Sequence, residues 1–176
     1  MNISFISIDS ESKNMEDCRD RRFQLKRYFN NQTFISMNTN NIANQNWTIN
    51  APAGVTYLSD FLTEIPVNCL FNKKQTGCGA TELAIRNNIP TIIAMPYVAL
   101  VKNKTIYRKD DISVLGVYEG IQEQDIIDYA QNHSPLKIAV TYDSLPRTIK
   151  ALQSIGIDPY KDTFLLVDEW HVLFNS

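Results

Sequence analysis

Residues 163–171 read TFLLVDEWH, and this stretch decides which fold the rest of the sequence predicts. Thr163 to Val167 form a β-branched and aliphatic run, which is the pattern of a strand buried in a sheet. Asp168 and Glu169 follow this run directly. A buried strand that delivers two adjacent carboxylates to its carboxyl end is typical of folds that hold Mg²⁺ and position a water beside a nucleotide.

Strands and helices alternate along the chain from residue 56 onwards. The pattern predicts strands at 68–71, 91–95, 111–117, 136–140 and 164–167, and helices at 81–86, 122–131 and 144–156. Pro146 just inside the last helix and Gly156 at its end are typical start and stop signals. This alternation predicts an α/β fold in which helices sandwich a mainly parallel sheet and ligands lie at the carboxyl ends of the strands.

The first part of the chain has a different composition. Asparagine and glutamine cluster between Asn30 and Asn50, and the segment from Cys18 to Tyr28 is rich in arginine and lysine. Asparagine-rich stretches favour turns and loops over packed elements. We therefore predict a small Asn-rich N-terminal extension over residues 1–55, with a helix and a few short strands, and a nucleotide-binding domain over residues 56–176.

Composition narrows the classes of protein that fit this chain. The 176 residues have a net charge of −2 and a pI of about 5.7, unlike a nucleic-acid binder driven by overall positive charge. The three cysteines are too few and too scattered for a disulfide framework or a zinc site. No apolar stretch reaches membrane-spanning length, and the start lacks the basic residues of a signal peptide. The expectation is a soluble, cytoplasmic protein without a membrane partner.

A glycine-containing turn follows the first predicted strand of the domain, where residues 72–83 read NKKQTGCGATEL. Gly77 and Gly79 allow backbone N–H groups to face an anion without a Cβ clash. Thr81 is placed to put its hydroxyl on Mg²⁺, as in the phosphate loop G-x-x-x-x-G-K-[ST]. These features predict a phosphate-binding loop that opens the following helix.

The loop departs from this pattern at two positions. Ala80 stands where the lysine is expected, and Lys74 stands where the first glycine is expected. An alanine cannot reach the β and γ phosphates. We expect Lys73 or Lys74, just upstream, to fold over the loop on its flexible stem and supply the missing charge.

The turn is also open to two other interpretations. A dinucleotide site needs a third glycine and an acidic residue at the end of the next strand. Here Glu82 stands where the third glycine is required, and the next strand ends in Met95-Pro96-Tyr97 without an acidic residue. A Gly-x-Gly turn alone is common, and Cys78 within it fits a small space-filling residue. The interpretation of the turn as a nucleotide site is strengthened by Asp168 and Glu169, which follow it in the expected order along the chain.

The paired carboxylates divide the chemistry between them. Side chains alternate along a strand, so Asp168 can hold the Mg²⁺ shell while Glu169 reaches the attacking water. This division suits phosphoryl transfer, which depends on positioning and charge stabilisation. His171 is either a link between the nucleotide site and a neighbouring domain or an ordinary surface or core residue, and its place beside the acids favours the link.

From residue 57 to residue 176, the chain resembles the first RecA-like domain of superfamily 2 helicases and translocases, of the DExH type. The run Thr76-Gly77-Cys78-Gly79-Ala80-Thr81 looks like their T-G-x-G-K-T loop with the lysine lost, and DEWH at residues 168–171 looks like their D-E-x-H box. MPYVALV at 95–101 and VTYDSL at 140–145 resemble their nucleic-acid-contacting segments. The altered loop is similar to that of helicase-like proteins of Bacteroidetes and their crAss-like phages.

The resemblance implies ATP and Mg²⁺ as cofactors and DNA or RNA as partner. It implies Asp168 and Glu169 as catalytic residues, Thr81 and Asp168 as metal ligands, and a nucleotide-binding set of Lys73, Lys74, Thr76, Gly77, Cys78, Gly79, Ala80 and Thr81. Lys102, Lys104 and Thr141 would face a phosphate backbone, although for the two lysines ordinary solvated surface is an equal reading.

The same resemblance implies that a complete catalytic site needs a second RecA-like domain. The family builds its catalytic cleft between two RecA-like domains and takes a charge-stabilising arginine from the second, which we expect to lie outside these 176 residues. We therefore expect a domain truncated after the acidic strand, which hydrolyses ATP slowly or not at all until a second domain or a partner subunit completes it.

Two alternatives stay open at this point. The first is a degenerate nucleotide-binding or structural module, without turnover, of a larger assembly such as a phage particle, which Ala80 favours. The second is a small nucleotide kinase, for which Arg108 and Arg147 would have to serve as lid arginines.

Overall fold

The computed structural model describes residues 2–7, 49–73, 77–107, 110–170 and 172. The chain divides into two compact units, of which one is Ser10–Gly54 and the other comprises Met1–Asp9 and Val55–Ser176. All the strands and helices that the structure describes belong to the latter unit.

Six strands and five helices make up this unit within the described residues. The strands are β1 Asn2–Ser7, β2 Cys69–Asn72, β3 Thr91–Met95, β4 Leu115–Val117, β5 Lys137–Thr141 and β6 Phe164–Asp168. The helices are α1 Ala80–Arg86, α2 Val98–Lys104, α3 Glu123–Asn132, α4 Leu145–Ser154 and the short α5 Pro159–Asp162, with 3₁₀ turns at Leu58–Asp60 and Tyr142–Ser144. Among the described helices, none is long and apolar enough to cross a lipid bilayer.

The strands form one sheet in the order β2-β1-β6-β3-β5-β4, and every pairing is parallel. All five residues are buried in each of β3, β5 and β6, as expected for strands covered on both faces. Ile93 and Met95 pack in a core cluster with α1 and α2, whereas α3 and α4 pack against each other and against β4 and β5. The predicted α/β fold, a parallel sheet flanked by helices, is therefore confirmed.

The strand β1 corrects the predicted extension over residues 1–55. It lies between β2 and β6, with Ser4 opposite Cys69 on one side and Leu166 on the other. Residues 2–7 therefore belong to the sheet of the unit that contains Val55–Ser176. Parallel partners are distant along the chain, so the local pattern gave no sign of them. The predicted helix and short strands between residues 8 and 48 lie outside the described residues.

β4 is shorter than the predicted strand at 111–117. Residues before Leu115 are held by side chains instead of a strand ladder: Asp110 accepts from the backbone N–H of Ile112 at 3.3 Å, and the Tyr129 hydroxyl donates to the Ser113 carbonyl at 2.9 Å. These bonds satisfy the backbone without extending the sheet.

A buried lysine fixes the amino end of the sheet. Lys137, the first residue of β5, is 2% exposed, and its ammonium donates to the carbonyls of Ala84 at 2.8 Å and Ile89 at 2.6 Å and to Asn87 Oδ1 at 2.8 Å. One of these acceptors is a carbonyl near the end of α1, where a helix leaves carbonyls unpaired. Burial lowers the pKa of Lys137 to about 8.

Titration of Lys137 should make the stability of the fold depend on pH. Its folded-state pKa of about 8 lies below the ordinary lysine value of 10.5, so the unfolded state binds more protons between these values and stability rises with pH across that window. We expect the free energy of unfolding to rise by about 1 kcal/mol per pH unit relative to Lys137→Met, as measured by urea denaturation.

The matched control is Lys161→Met, because the Lys161 side chain is 81% exposed. This variant should keep the pH dependence of the unaltered chain. The same pH dependence in the unaltered chain and in Lys137→Met would contradict the assignment.

Candidate functional site

A hydrogen bond between distant residues defines the carboxyl edge of the sheet. Asp168 is the last residue of β6 and is 7% exposed, and Thr81 lies in the first turn of α1. The Thr81 hydroxyl donates to Asp168 Oδ2 at 2.8 Å, across a sequence separation of 87 residues. The structure therefore brings together the two residues that the sequence assigns to the metal.

The glycine turn adopts a backbone that other residues rarely take. Gly77 has φ 70° and Gly79, the N-cap of α1, has φ 82°. Cys78 and Ala80 are buried, so neither side chain projects toward a ligand in solvent. The predicted contacts at Lys74 and Thr76 lie outside the described residues.

Lys73 lies close to the carboxylate that Thr81 contacts. Its Nζ is 3.8 Å from Asp168 Oδ1, and the side chains of Lys73 and Asp168 are only 9% and 10% exposed. A buried carboxylate is costly unless it is paired and hydrogen-bonded, and Lys73 supplies the opposite charge. One of the two upstream lysines, Lys73, therefore does lie close to the predicted site, where it contacts Asp168.

The residue after Asp168 has an unusual backbone. Glu169 has φ 55°, which is uncommon for a residue other than glycine. Its N–H donates to Asp168 Oδ1 at 3.1 Å, and its carbonyl accepts from the N–H of Val172 at 2.9 Å. The strand thus ends in a sharp turn at the second acid. His171 lies outside the described residues.

Tyr142 is a site residue that the sequence did not reveal. It directly follows β5, and its hydroxyl donates to the backbone carbonyl of Asp168. Burial and, to a lesser degree, the carboxylates of Asp168 and Glu169 raise the pKa of Tyr142, so the hydroxyl keeps its proton and remains a donor. No sequence pattern marks a tyrosine that holds a backbone carbonyl. The only available sign would have been the strand order, in which β5 and β6 lie on either side of β3.

Tyr57 is a second residue that was missed. The backbone N–H of Leu58 donates to the Cys78 carbonyl at 2.9 Å, which ties this segment to the glycine turn. Tyr57 Cδ1 lies 3.7 Å from where a Cβ on Gly79 would stand, and the tyrosine is 52% exposed. An exposed aromatic side chain therefore lies beside the turn.

The three predicted nucleic-acid contacts fall in different places. Thr141 is buried, and its hydroxyl donates to Ser144 Oγ at 3.0 Å. The Lys102 ammonium lies 5.3 Å from the ring centroid of Tyr118, which follows β4. Lys104 is the last residue of α2. Of the three, Lys102 and Thr141 are associated with carboxyl ends of strands, and the hydroxyl of Thr141 is already engaged.

The oxygen atoms near Asp168 suit a metal ion only in part. Within the described ranges, no cluster of three or more His, Cys, Asp or Glu could hold an ion by itself. Mg²⁺ is usually bound by one or two carboxylates together with waters and substrate phosphates. One carboxylate from Asp168 and one hydroxyl from Thr81 fit a Mg²⁺ ion that arrives with a nucleotide.

Comparisons of the chain with known protein families, with curated proteins and with solved structures found no match in any of the three. The residues of the site and their geometry therefore carry the functional argument.

Removal of the Thr81 hydroxyl should destabilise the fold. In Thr81→Val, a buried carboxylate oxygen loses its donor, and we expect a loss of about 1–3 kcal/mol in the free energy of unfolding at neutral pH, measured by urea denaturation. The matched control is Thr148→Val, because the buried Thr148 hydroxyl donates to the neutral carbonyl of Ser144 at 3.0 Å. Its loss should be smaller, and equal losses in both variants would contradict the role of the Asp168 contact.

Proposed function

We propose that this chain binds ATP with Mg²⁺ at the carboxyl edge of its sheet, as the N-terminal domain of a helicase- or translocase-like ATPase that acts on nucleic acid. The observation that carries the proposal is the buried carboxylate of Asp168, which accepts from the Thr81 hydroxyl at 2.8 Å and lies 3.8 Å from the Lys73 ammonium. A hydroxyl, a carboxylate and a cation beside a glycine turn match the chemical needs of a triphosphate and its metal.

The phosphates would lie against the glycine turn. Positive φ at Gly77 and Gly79 supports a turn whose backbone N–H groups can face an anion. Lys73 would supply the charge that Ala80 cannot, and it enters from the strand side of the loop instead of from the helix. The exposed ring of Tyr57 beside the turn offers a surface for the nucleotide base.

The two acids would have separate tasks. Asp168 and Thr81 would hold Mg²⁺, which neutralises charge on the β and γ phosphates when it is bound. Glu169 would orient the attacking water and accept its proton. Tyr142 would hold the Asp168 carbonyl and thereby the direction in which the chain turns into Glu169.

Efficient turnover would require a group from outside the described residues. Phosphoryl transfer gains much of its rate from an arginine that stabilises charge in the transition state. Arg147 is engaged elsewhere, because its guanidinium donates to the Tyr118 carbonyl at 3.0 Å. We propose that a second RecA-like domain or a partner subunit supplies the arginine, in the cytoplasm of a bacterial or phage-infected cell and with DNA or RNA as the track.

Nucleotide binding can be tested by calorimetric titration of the chain with ATP and Mg²⁺. We expect Asp168→Asn and Lys73→Ala each to weaken binding about tenfold, because each removes a charge that faces the metal or the phosphates. Lys150→Ala is the matched control, since its side chain is 77% exposed on α4 and lies 3.7 Å from Glu123. Unchanged affinity in Lys73→Ala would contradict the role of Lys73, and no binding by the unaltered chain would contradict the proposal.

A second candidate function is a module that binds nucleotide without turnover, as part of a larger assembly. The observation that favours it is Ala80, which is 3% exposed and stands where catalysis would need a lysine. Both candidates share the nucleotide site and differ in what happens to the γ phosphate.

Phosphate release separates the two candidates. The proposed ATPase should release phosphate slowly, faster when single-stranded nucleic acid is added, and Glu169→Gln should lose at least about tenfold in rate while its affinity for ATP stays unchanged. ATP binding with no turnover, with or without nucleic acid, would instead favour the module.

A further inference from the structure

Three tyrosines stand in a row along the carboxyl edge of the sheet. Tyr97 follows β3 after one intervening residue, Tyr142 directly follows β5 and Tyr118 directly follows β4. These strands are consecutive in the sheet, and β6 with Asp168 is the next neighbour of β3. Adjacent strands lie about 4.8 Å apart, so the row extends about 10 Å from beside the acidic strand toward the sheet edge.

The tyrosines in the row differ in their freedom. Tyr97 is 57% exposed, whereas Tyr118 and Tyr142 are partly buried. Tyr142 is fixed by its hydrogen bond to the Asp168 carbonyl, and Tyr97 lies near enough to contribute to the raised pKa of the Tyr142 hydroxyl. A large aromatic surface is thus exposed beside Tyr142, which is held by its hydrogen bond.

Two cations contact the outer end of the row. Lys102 lies over the ring of Tyr118, and the Arg147 guanidinium donates to the Tyr118 carbonyl. Among the described residues, the buried Nε of Arg147 has no hydrogen-bond partner. The edge also bears exposed carboxylates at Glu119 and Asp143, so its charge is mixed, although no acidic residue occurs between Glu82 and Asp110.

We propose that this tyrosine row, Tyr97, Tyr142 and Tyr118, is a stacking platform for the bases of a single-stranded nucleic acid, with Tyr97 as the main contact. The inference rests on the proposed function, because it states how the nucleic-acid partner is held. Unpaired bases stack on aromatic rings regardless of sequence, and the two cations give the backbone a local positive partner. Duplex bases are already stacked on each other and do not offer their faces.

The low positive charge near the tyrosine row implies that stacking contributes more to this binding than phosphate contacts do. The chain has a net charge of −2, and Lys102 and Arg147 are the cations that contact the row. With about two neutralised phosphates, log Kobs should fall with log[salt] at a slope of about −1.4, which is shallow for a nucleic-acid binder.

Fluorescence anisotropy of a labelled oligothymidylate, titrated with the full chain, tests the platform. Tyr97→Ala should weaken binding about tenfold, Tyr97→Phe should stay within about twofold, and an abasic strand of equal length should bind the unaltered chain about as weakly as the oligothymidylate binds Tyr97→Ala. Tyr107→Ala is the matched control, because Tyr107 is 65% exposed but lies beyond the far end of α2.

Each other outcome overturns the inference. Equal affinity in Tyr97→Ala and the unaltered chain, tight binding of the abasic strand, or no binding of any strand would do so. A dimer in sedimentation that Tyr97→Ala abolishes would assign the surface to protein contact instead. ATP affinity is measured in parallel: loss of nucleotide binding with stacking retained would contradict the nucleotide site alone, and Tyr97→Ala should leave ATP affinity unchanged.

Discussion

The buried carboxylate of Asp168 is the constraint on which the carboxyl edge of this protein depends. An ionised group in the interior is costly unless charge and hydrogen bonds compensate it. Here its two oxygens accept hydrogen bonds from the Thr81 hydroxyl and the Glu169 N–H, and one of them lies close to the Lys73 ammonium. The contacts with Asp168 therefore hold the end of β2, the glycine turn and the end of β6 close together. The candidate site results from the groups that compensate this buried charge.

The opposite edge of the sheet solves a similar problem with the opposite sign. Lys137 is buried beneath α1 and donates to carbonyls at the helix end and in the loop after it. α1 is thus bounded by Thr81 near its start and by the Lys137 contacts near its end. The helix that carries the candidate metal ligand is fixed at both ends by buried polar contacts, which suits a site that must keep its geometry.

Local pattern was sufficient for most of the sheet and insufficient for what completes it. The apolar runs of β3, β5 and β6 predict strands because both of their faces are buried. The glycines predict a turn open to an anion because they lack a Cβ, and the structure gives Gly77 and Gly79 the positive φ that this freedom permits. β1 was missed because its partners are remote. Tyr57 and Tyr142 were missed because their roles come from neighbours in space, whereas Lys73 was proposed from reach and charge alone.

The position of β1 has a consequence for how the site comes into being. β1 is paired on one side with the strand that leads into the glycine turn and on the other with the acidic strand. Pairing between such remote segments is slow, because the loops between them must close before the contacts form. During synthesis, the emerging chain carries the turn long before its carboxylate, so the contacts of Lys73 and Thr81 with Asp168 form only after translation has passed β6 and β1 has been enclosed between its two partners.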